Sequence, residues 1–397
     1  MIQTVIYFIL LSILTIYVFI NKNNLFGKIL LLYYTVIGAF AVYVIKEGLF
    51  GAPRVTLLPY LFLVISYIIF LAPFLKKHNG FVSKKVSGGI DKRFRIFLVI
   101  YIVFTILSIY NFVPYLIELM KTGDWLANYD AENVFIYKNW FFWLATQISS
   151  YTSLLAIILG FLYLRQKKYR VLAYITIGIY ALSKISSSIY ISSRGMIVDL
   201  AFVLLFLFIF VFPQLRKSTK RFIALIFTIG VIAISGYMVD VTVSRFSQGG
   251  AIESIIRYLG HPPIVFNFGI ATIDKLSWGK YTLGALFGDS YVNQAFVGGS
   301  WGTAFYTFVG WLYIDWGPIG VILLGFTTYL VMNHMISKSH YEVSDLFAIF
   351  YYLFFLSGGA LVIGPAQIIN ILMAILLYVM IKLFIENNHI RIKKKEI

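Results

Sequence analysis

A chain of 397 residues that is 60% hydrophobic and 12% charged departs from the roughly 45–50% apolar, 25% charged composition of soluble domains and reads as a polytopic membrane protein. Its formal charge of +17 would point to nucleic acid in a soluble protein. Here the lysines and arginines sit in short segments between apolar runs, as the positive-inside rule produces, so the lipid bilayer replaces nucleic acid as the expected partner. With no cysteine, disulfides and thiolate metal sites are excluded.

A span needs about 20 mostly apolar residues, and about eleven stretches meet that criterion. They are Ile2 to Ile20, Ile29 to Ile45, Val55 to Leu75, Ile96 to Ile117, Trp140 to Leu164, Val171 to Ile191, Met196 to Pro213, Phe222 to Val241, Ile319 to Met335, Leu346 to Ile363 and Ala366 to Ile385. The first has neither a basic leader nor a small-residue cleavage site and reads as a retained helix. The segments Lys76 to Arg95, Arg165 to Arg170 and Leu215 to Arg221, and the tail with Arg391, Lys393, Lys394 and Lys395, are rich in positive charge and so cytoplasmic. Met120 to Lys138 balances Lys121 and Lys138 against Asp124, Asp130 and Glu132 and faces out. An odd number of spans then puts the N-terminus outside and the C-terminus in the cytoplasm. The expected fold is an all-α multi-pass bundle, a single integral membrane domain over residues 1–397. One long outward loop, residues 245–300, lies between the eighth and ninth spans and carries short amphipathic helices. No internal repeat is visible, which counts against transporter folds built from repeated halves.

Ionisable residues within a membrane are costly and therefore functional candidates. Lys184 and Asp199 flank the Ser192-Ser193-Arg194-Gly195 turn and could meet across a helical hairpin, either as a pair pinning two helices or as part of a site. Arg194 stands at the turn, where a guanidinium can reach phosphates bidentately. In the loop, Ala251 to Gly260 reads as an interfacial amphipathic helix stopped by Gly260, with Pro262 and Pro263 preventing its resumption. Glu253 and Arg257 fall at i, i+4, a surface pair in the bland reading. His261 follows Arg257 by one turn, and a histidine titrating near neutral pH could act as general base beside it. The remaining histidines are too scattered for a metal cluster. Residues 303 to 335 form an apolar run too long for one crossing, which Pro318 should break, making the return a partly inserted or re-entrant helix. Asp315 sits at that break, as a helix cap or a carboxylate for a sugar hydroxyl.

The Ser192–Gly195 turn, the long late loop, and Gly299-Ser300-Trp301-Gly302-Thr303 leading to Tyr313-Ile314-Asp315-Trp316-Gly317-Pro318-Ile319-Gly320 resemble the bacterial O-antigen and capsule repeat-unit polymerases of the Wzy type. The resemblance implies a glycosyltransferase without cofactor or metal, acting on undecaprenyl-pyrophosphate-linked oligosaccharides at the outer face of the bacterial cytoplasmic membrane, with a chain-length regulator and a flippase as accessory partners. On that reading Arg194, Arg245 and Arg257 hold the pyrophosphate, where fixed donors in a site of low dielectric stabilise the charge of the leaving group. His261 is the candidate base and Asp315 the alternative. An O-antigen ligase and a transporter or flippase for the same lipid-linked sugar stay open as other readings. A metal-dependent transferase would want clustered outward carboxylates, which Glu47, Asp124, Asp130 and Glu132 do not form.

Overall fold

The computed structural model describes residues 1–22, 24–49, 54–76, 86, 92–122, 139–167, 169–191, 195–215, 217, 219–221, 251–272, 276–280, 283, 307–359 and 367–386. These are almost entirely helical. In chain order the helices are α1 (Ile2–Asn21), α2 (Leu25–Lys46), α3 (Leu57–Leu75), α4 (Lys92–Thr122), α5 (Trp140–Arg165), α6 (Arg170–Ile191) and α7 (Gly195–Val211). They continue with α8 (Ala251–Thr272), α9 (Phe308–Ser337), α10 (Val343–Gly359) and α11 (Gln367–Met380), the last running into a π-helical turn, Ile381–Glu386. Among the described residues 8 helices are long and apolar enough to cross a membrane, namely α1 to α7 and α9. The expected tenth and eleventh spans correspond to the shorter apolar helices Val343–Gly359 and Ile368–Leu383. Phe222 to Val241 lies outside the described residues.

The distribution of side chains on α1 shows which solvent these helices face. Thr4, Tyr7 and Thr15 are buried against protein, while Ile9, Ile13, Ile16 and Ile20 are exposed. In water that arrangement would turn the helix the wrong way round, whereas in a bilayer the isoleucines meet lipid and the hydroxyls find partners inside.

The chain divides into two compact units. The first comprises Met1–Asn79, Gly249–Lys338 and Tyr352–Leu372 and contains α1, α2, α3, α8 and α9. Polar pairs tie its helices together: Thr15 and Thr35 join α1 to α2 through their hydroxyls at 2.7 Å, and Tyr7 of α1 stacks on Tyr60 of α3. The Tyr34 hydroxyl donates to the Leu356 carbonyl at 2.8 Å. The second unit comprises Gly80–Gln248, Ser339–Tyr351 and Met373–Ile397. There α4 and α5 are joined by two hydroxyl pairs, Thr105 with Ser149 at 2.8 Å and Ser108 with Thr146 at 3.0 Å. The Ser344 backbone N–H and hydroxyl both donate to the Glu386 carboxylate, at 2.9 and 2.6 Å.

The largest departure from expectation concerns α8. It does not end at Gly260 but continues through His261, Pro262 and Pro263 to Thr272, and it packs along α2 and α3 rather than lying at the interface. Residues 260–267 are buried without interruption, so this stretch is enclosed on all sides instead of being amphipathic. Gly260 serves close approach, not termination: a Cβ there would stand 2.6 Å from the carbonyl carbon of Phe40 and 2.8 Å from the nitrogen of Ala41. The prolines cost the helix two N–H donors, and tertiary burial outweighs that local penalty. Asn267 then fastens α8 to the start of α3, accepting from the Thr56 N–H at 2.9 Å and donating to the Thr56 carbonyl at 2.7 Å.

Gly260→Leu should therefore force α8 away from α2. Because its Cβ meets rigid backbone, the cost should lie at or above the upper end of the roughly 1–3 kcal/mol typical of overpacking. Fluorescence-detected size exclusion in detergent is expected to show loss of the monodisperse species. Gly178→Leu, where a Cβ meets nothing within 4 Å, should leave it intact.

Candidate functional site

The sequence places a break at Pro318, and α9 does break there, at the preceding residue. Gly317 has φ 62 and ψ −170, a left-handed conformation that glycine adopts without a Cβ penalty and that suits the residue before a proline, which avoids the helical region. The break is a reversal. Phe308 packs edge-on against Phe70 of α3 with ring centroids 5.0 Å apart, and a Cβ on Gly325 would lie 3.0 Å from the same Phe70 ring. A straight helix would hold residues 308 and 325 about 25 Å apart. The chain thus rises through residues 308–316, turns at Gly317 and descends antiparallel through 318–337. The Thr307 side chain caps the buried start, accepting from the Gly310 N–H at 3.3 Å.

Such a turn strands the carbonyls that end its first arm. They are taken up by the segment Leu276 to Gly279, which follows α8. The Ser277 N–H donates to the Ile314 carbonyl at 3.1 Å and the Trp278 N–H to the Asp315 carbonyl at 3.1 Å. The Ser277 hydroxyl lies 3.2 Å from the Ile314 carbonyl and donates to the Asp315 carboxylate. Leu276 fills the space over Gly317, and Gly279 lies against the Trp316 ring. Asp315 is fully buried at the tip, yet the two tryptophans beside it are open: Trp278 is 72% exposed and Trp316 41%. Trp278 also has φ 51 and Gly279 φ 84, so a bulky L-residue is held in a strained region at a cost of about 1–3 kcal/mol. Through Ser277, Asp315 ties the tip to the chain leaving α8.

Ser277 was not singled out from the sequence. The signal available was a recurring word, Ser277-Trp278-Gly279, Ser300-Trp301-Gly302 and Asp315-Trp316-Gly317, two copies of which the fold brings together.

Arg257 and His261 do lie one turn apart, on α8, in the same unit as Asp315. Arg257 is half-buried and His261 buried. Burial, with the Arg257 guanidinium adding to it, lowers His261 from 6.5 to about 3. The imidazole is thus neutral at physiological pH and a weak base, which corrects the expectation that it titrates near neutrality. In the second unit, Lys184 and Asp199 are half-buried on α6 and α7 and act on each other's charge. Arg194 and Arg245 lie outside the described residues. Among the described residues no three His, Asp or Glu side chains converge to hold a metal ion.

Comparison with protein-family models, with curated proteins and with solved structures yields no match to this chain.

Two outcomes are expected. Asp315→Asn keeps an acceptor for Ser277 and should shift the melting temperature little. Asp315→Leu leaves the Ser277 hydroxyl only its 3.2 Å contact with the Ile314 carbonyl and should cost about 1 kcal/mol in the same thermal assay. For His261, the unfolded chain takes up a proton below pH 6.5 that the folded protein refuses until about pH 3, so stability falls as pH drops through that window. Between pH 7 and pH 4.5 the loss should be on the order of 2–3 kcal/mol, and His261→Asn should remove that part of the acid sensitivity.

Proposed function

We propose that this protein is a membrane glycosyltransferase that joins undecaprenyl-pyrophosphate-linked oligosaccharide repeat units into O-antigen or capsular polysaccharide at the outer face of the bacterial cytoplasmic membrane. The observation that carries this reading is the position and chemistry of the α9 tip. Residues 318–337 alone rise about 30 Å, enough to cross the hydrocarbon core. The tip therefore belongs at a bilayer edge, where a lipid-linked pyrophosphate and its sugars sit. Its two open indoles suit the C–H faces of pyranose rings, and tryptophan is at home in that interfacial layer.

In this mechanism a hydroxyl of one lipid-linked unit attacks the anomeric carbon of the growing chain. The C–O bond to undecaprenyl pyrophosphate breaks and the hydroxyl proton leaves to a base or to water. Arg257, with Arg194 and Arg245, takes the charge of the leaving pyrophosphate. Asp315, bound to Ser277, positions the indoles, and neutral His261 sets the surroundings of Arg257 rather than removing the proton.

A transporter for the same lipid-linked sugar also uses broken helices, but it places them near the midplane; the edge position of Gly317 favours transfer chemistry. The test is reconstitution in liposomes with single lipid-linked repeat units extracted from cells lacking the protein. A ladder of polymer with release of undecaprenyl pyrophosphate is expected. Arg257→Ala should reduce it about 100-fold or more, as removal of a charge-stabilising donor does elsewhere, and the Trp278→Ala, Trp316→Ala double variant should raise the concentration of acceptor needed. Transbilayer movement of the units without polymer would establish the transporter instead, and transfer only to added lipid A core the ligase.

A further inference from the structure

At the end of the second unit where α5 gives way to α6, a shallow surface cleft lies between the α5–α6 turn and the chain that follows α7. Lys167, Arg170, Gln214 and Thr219 supply its polar lining, with Leu164, Leu215 and Tyr174 beneath. The two stretches of sequence that supply this lining are of one sign: residues 163–175 hold four Lys or Arg and residues 212–222 hold four, with no Asp or Glu in either.

The turn is built under strain. Lys167 has φ 57 and Tyr169 φ 47, and neither is a glycine, so each conformation costs about 1–3 kcal/mol that surrounding contacts must hold. Tyr169 is held by its ring, which lies 5.6 Å from that of Tyr163 and carries the Arg95 guanidinium at 4.7 Å. That stack fixes the turn so that Lys167 and Arg170 line one cleft, beside the N-terminal amides of α6. The Gln214 Oε1 is buried there without a hydrogen-bond partner among the described residues. A buried acceptor beside two cations describes a ligand that brings both an anion and a hydrogen-bond donor. Exposed apolar side chains flank the mouth: Val171 is 73% exposed, and Ile175 and Phe212 are exposed as well. The cleft therefore borders hydrocarbon, not an aqueous cavity.

We propose that this cleft binds the headgroup of an anionic phospholipid with a hydroxylated headgroup, its phosphate held by Lys167 and Arg170 and its hydroxyl by Gln214.

The full-length protein, delipidated in non-ionic detergent, is titrated with short-chain phosphatidylglycerol and followed by native mass spectrometry and thermal shift. Wild type is expected to retain the lipid and gain stability. Lys167→Gln, Arg170→Gln should weaken retention roughly 30-fold, at about fivefold per basic residue near a membrane surface. Lys22→Gln, Lys28→Gln, which removes the same charge from the other unit, should change nothing. Gln214→Leu should abolish any preference for phosphatidylglycerol over phosphatidic acid. Equal retention by wild type and the Lys167, Arg170 variant would overturn the proposal, as would equal loss in the Lys22, Lys28 control. Stabilisation by inorganic phosphate matching that by the lipid would reassign the cleft to free phosphate. If the double variant does not fold, Lys167→Gln alone, at an exposed position, gives the same reading at about fivefold.

Discussion

Turning a helix back on itself leaves carbonyl groups at the end of its first arm that the helix itself cannot satisfy. The hydrogen bonds from Ser277 and Trp278 to Ile314 and Asp315 answer that constraint, and much of the first unit follows from it. The donors must arrive at the right height, so the helix before them has to be fixed in depth. That depth is set by the contact of Gly260 with Phe40 and by the double hydrogen bond of Asn267 with Thr56. A slip of one turn along α2 would move Ser277 about 5 Å from its acceptors.

The two units answer the loss of a hydrophobic driving force between helices differently. In the second, serines and threonines of α4 and α5 pair directly, a neutral ladder of hydroxyls between the two helices. In the first, tyrosines do more of the work, reaching across to backbone carbonyls, as Tyr34 does to Leu356 and Tyr352 to Phe70. Long side chains of that kind can bridge the wider spaces left around a doubled-back segment.

Much of this was legible in the residues. Seven spans from Ile2 to Gln214 follow from hydropathy alone, because apolar runs of that length, interrupted in the sixth and seventh only by Lys184 and Asp199, have few alternatives. The reversal in α9 was legible as a place, since Gly317-Pro318 interrupts a run too long for one crossing. What hydropathy could not give was its partner, which lies about forty residues earlier and is joined through backbone groups every residue has. Gly260-His261-Pro262-Pro263 misled for a related reason. Taken locally, those residues stop a helix, but in the protein the same absence of a side chain at Gly260 admits a neighbouring backbone. His261 followed the same error, since a solvent-facing loop would have left it near its ordinary pKa, whereas an enclosed helix does not.

The backbone of Trp278 carries one more implication. At φ 51 glycine would be the comfortable choice, yet the position holds the bulkiest of the twenty side chains and leaves most of it uncovered. That choice costs the fold stability. On the proposed transferase reading, the cost keeps an indole at the rim of the turn for what approaches from outside rather than for what lies beneath.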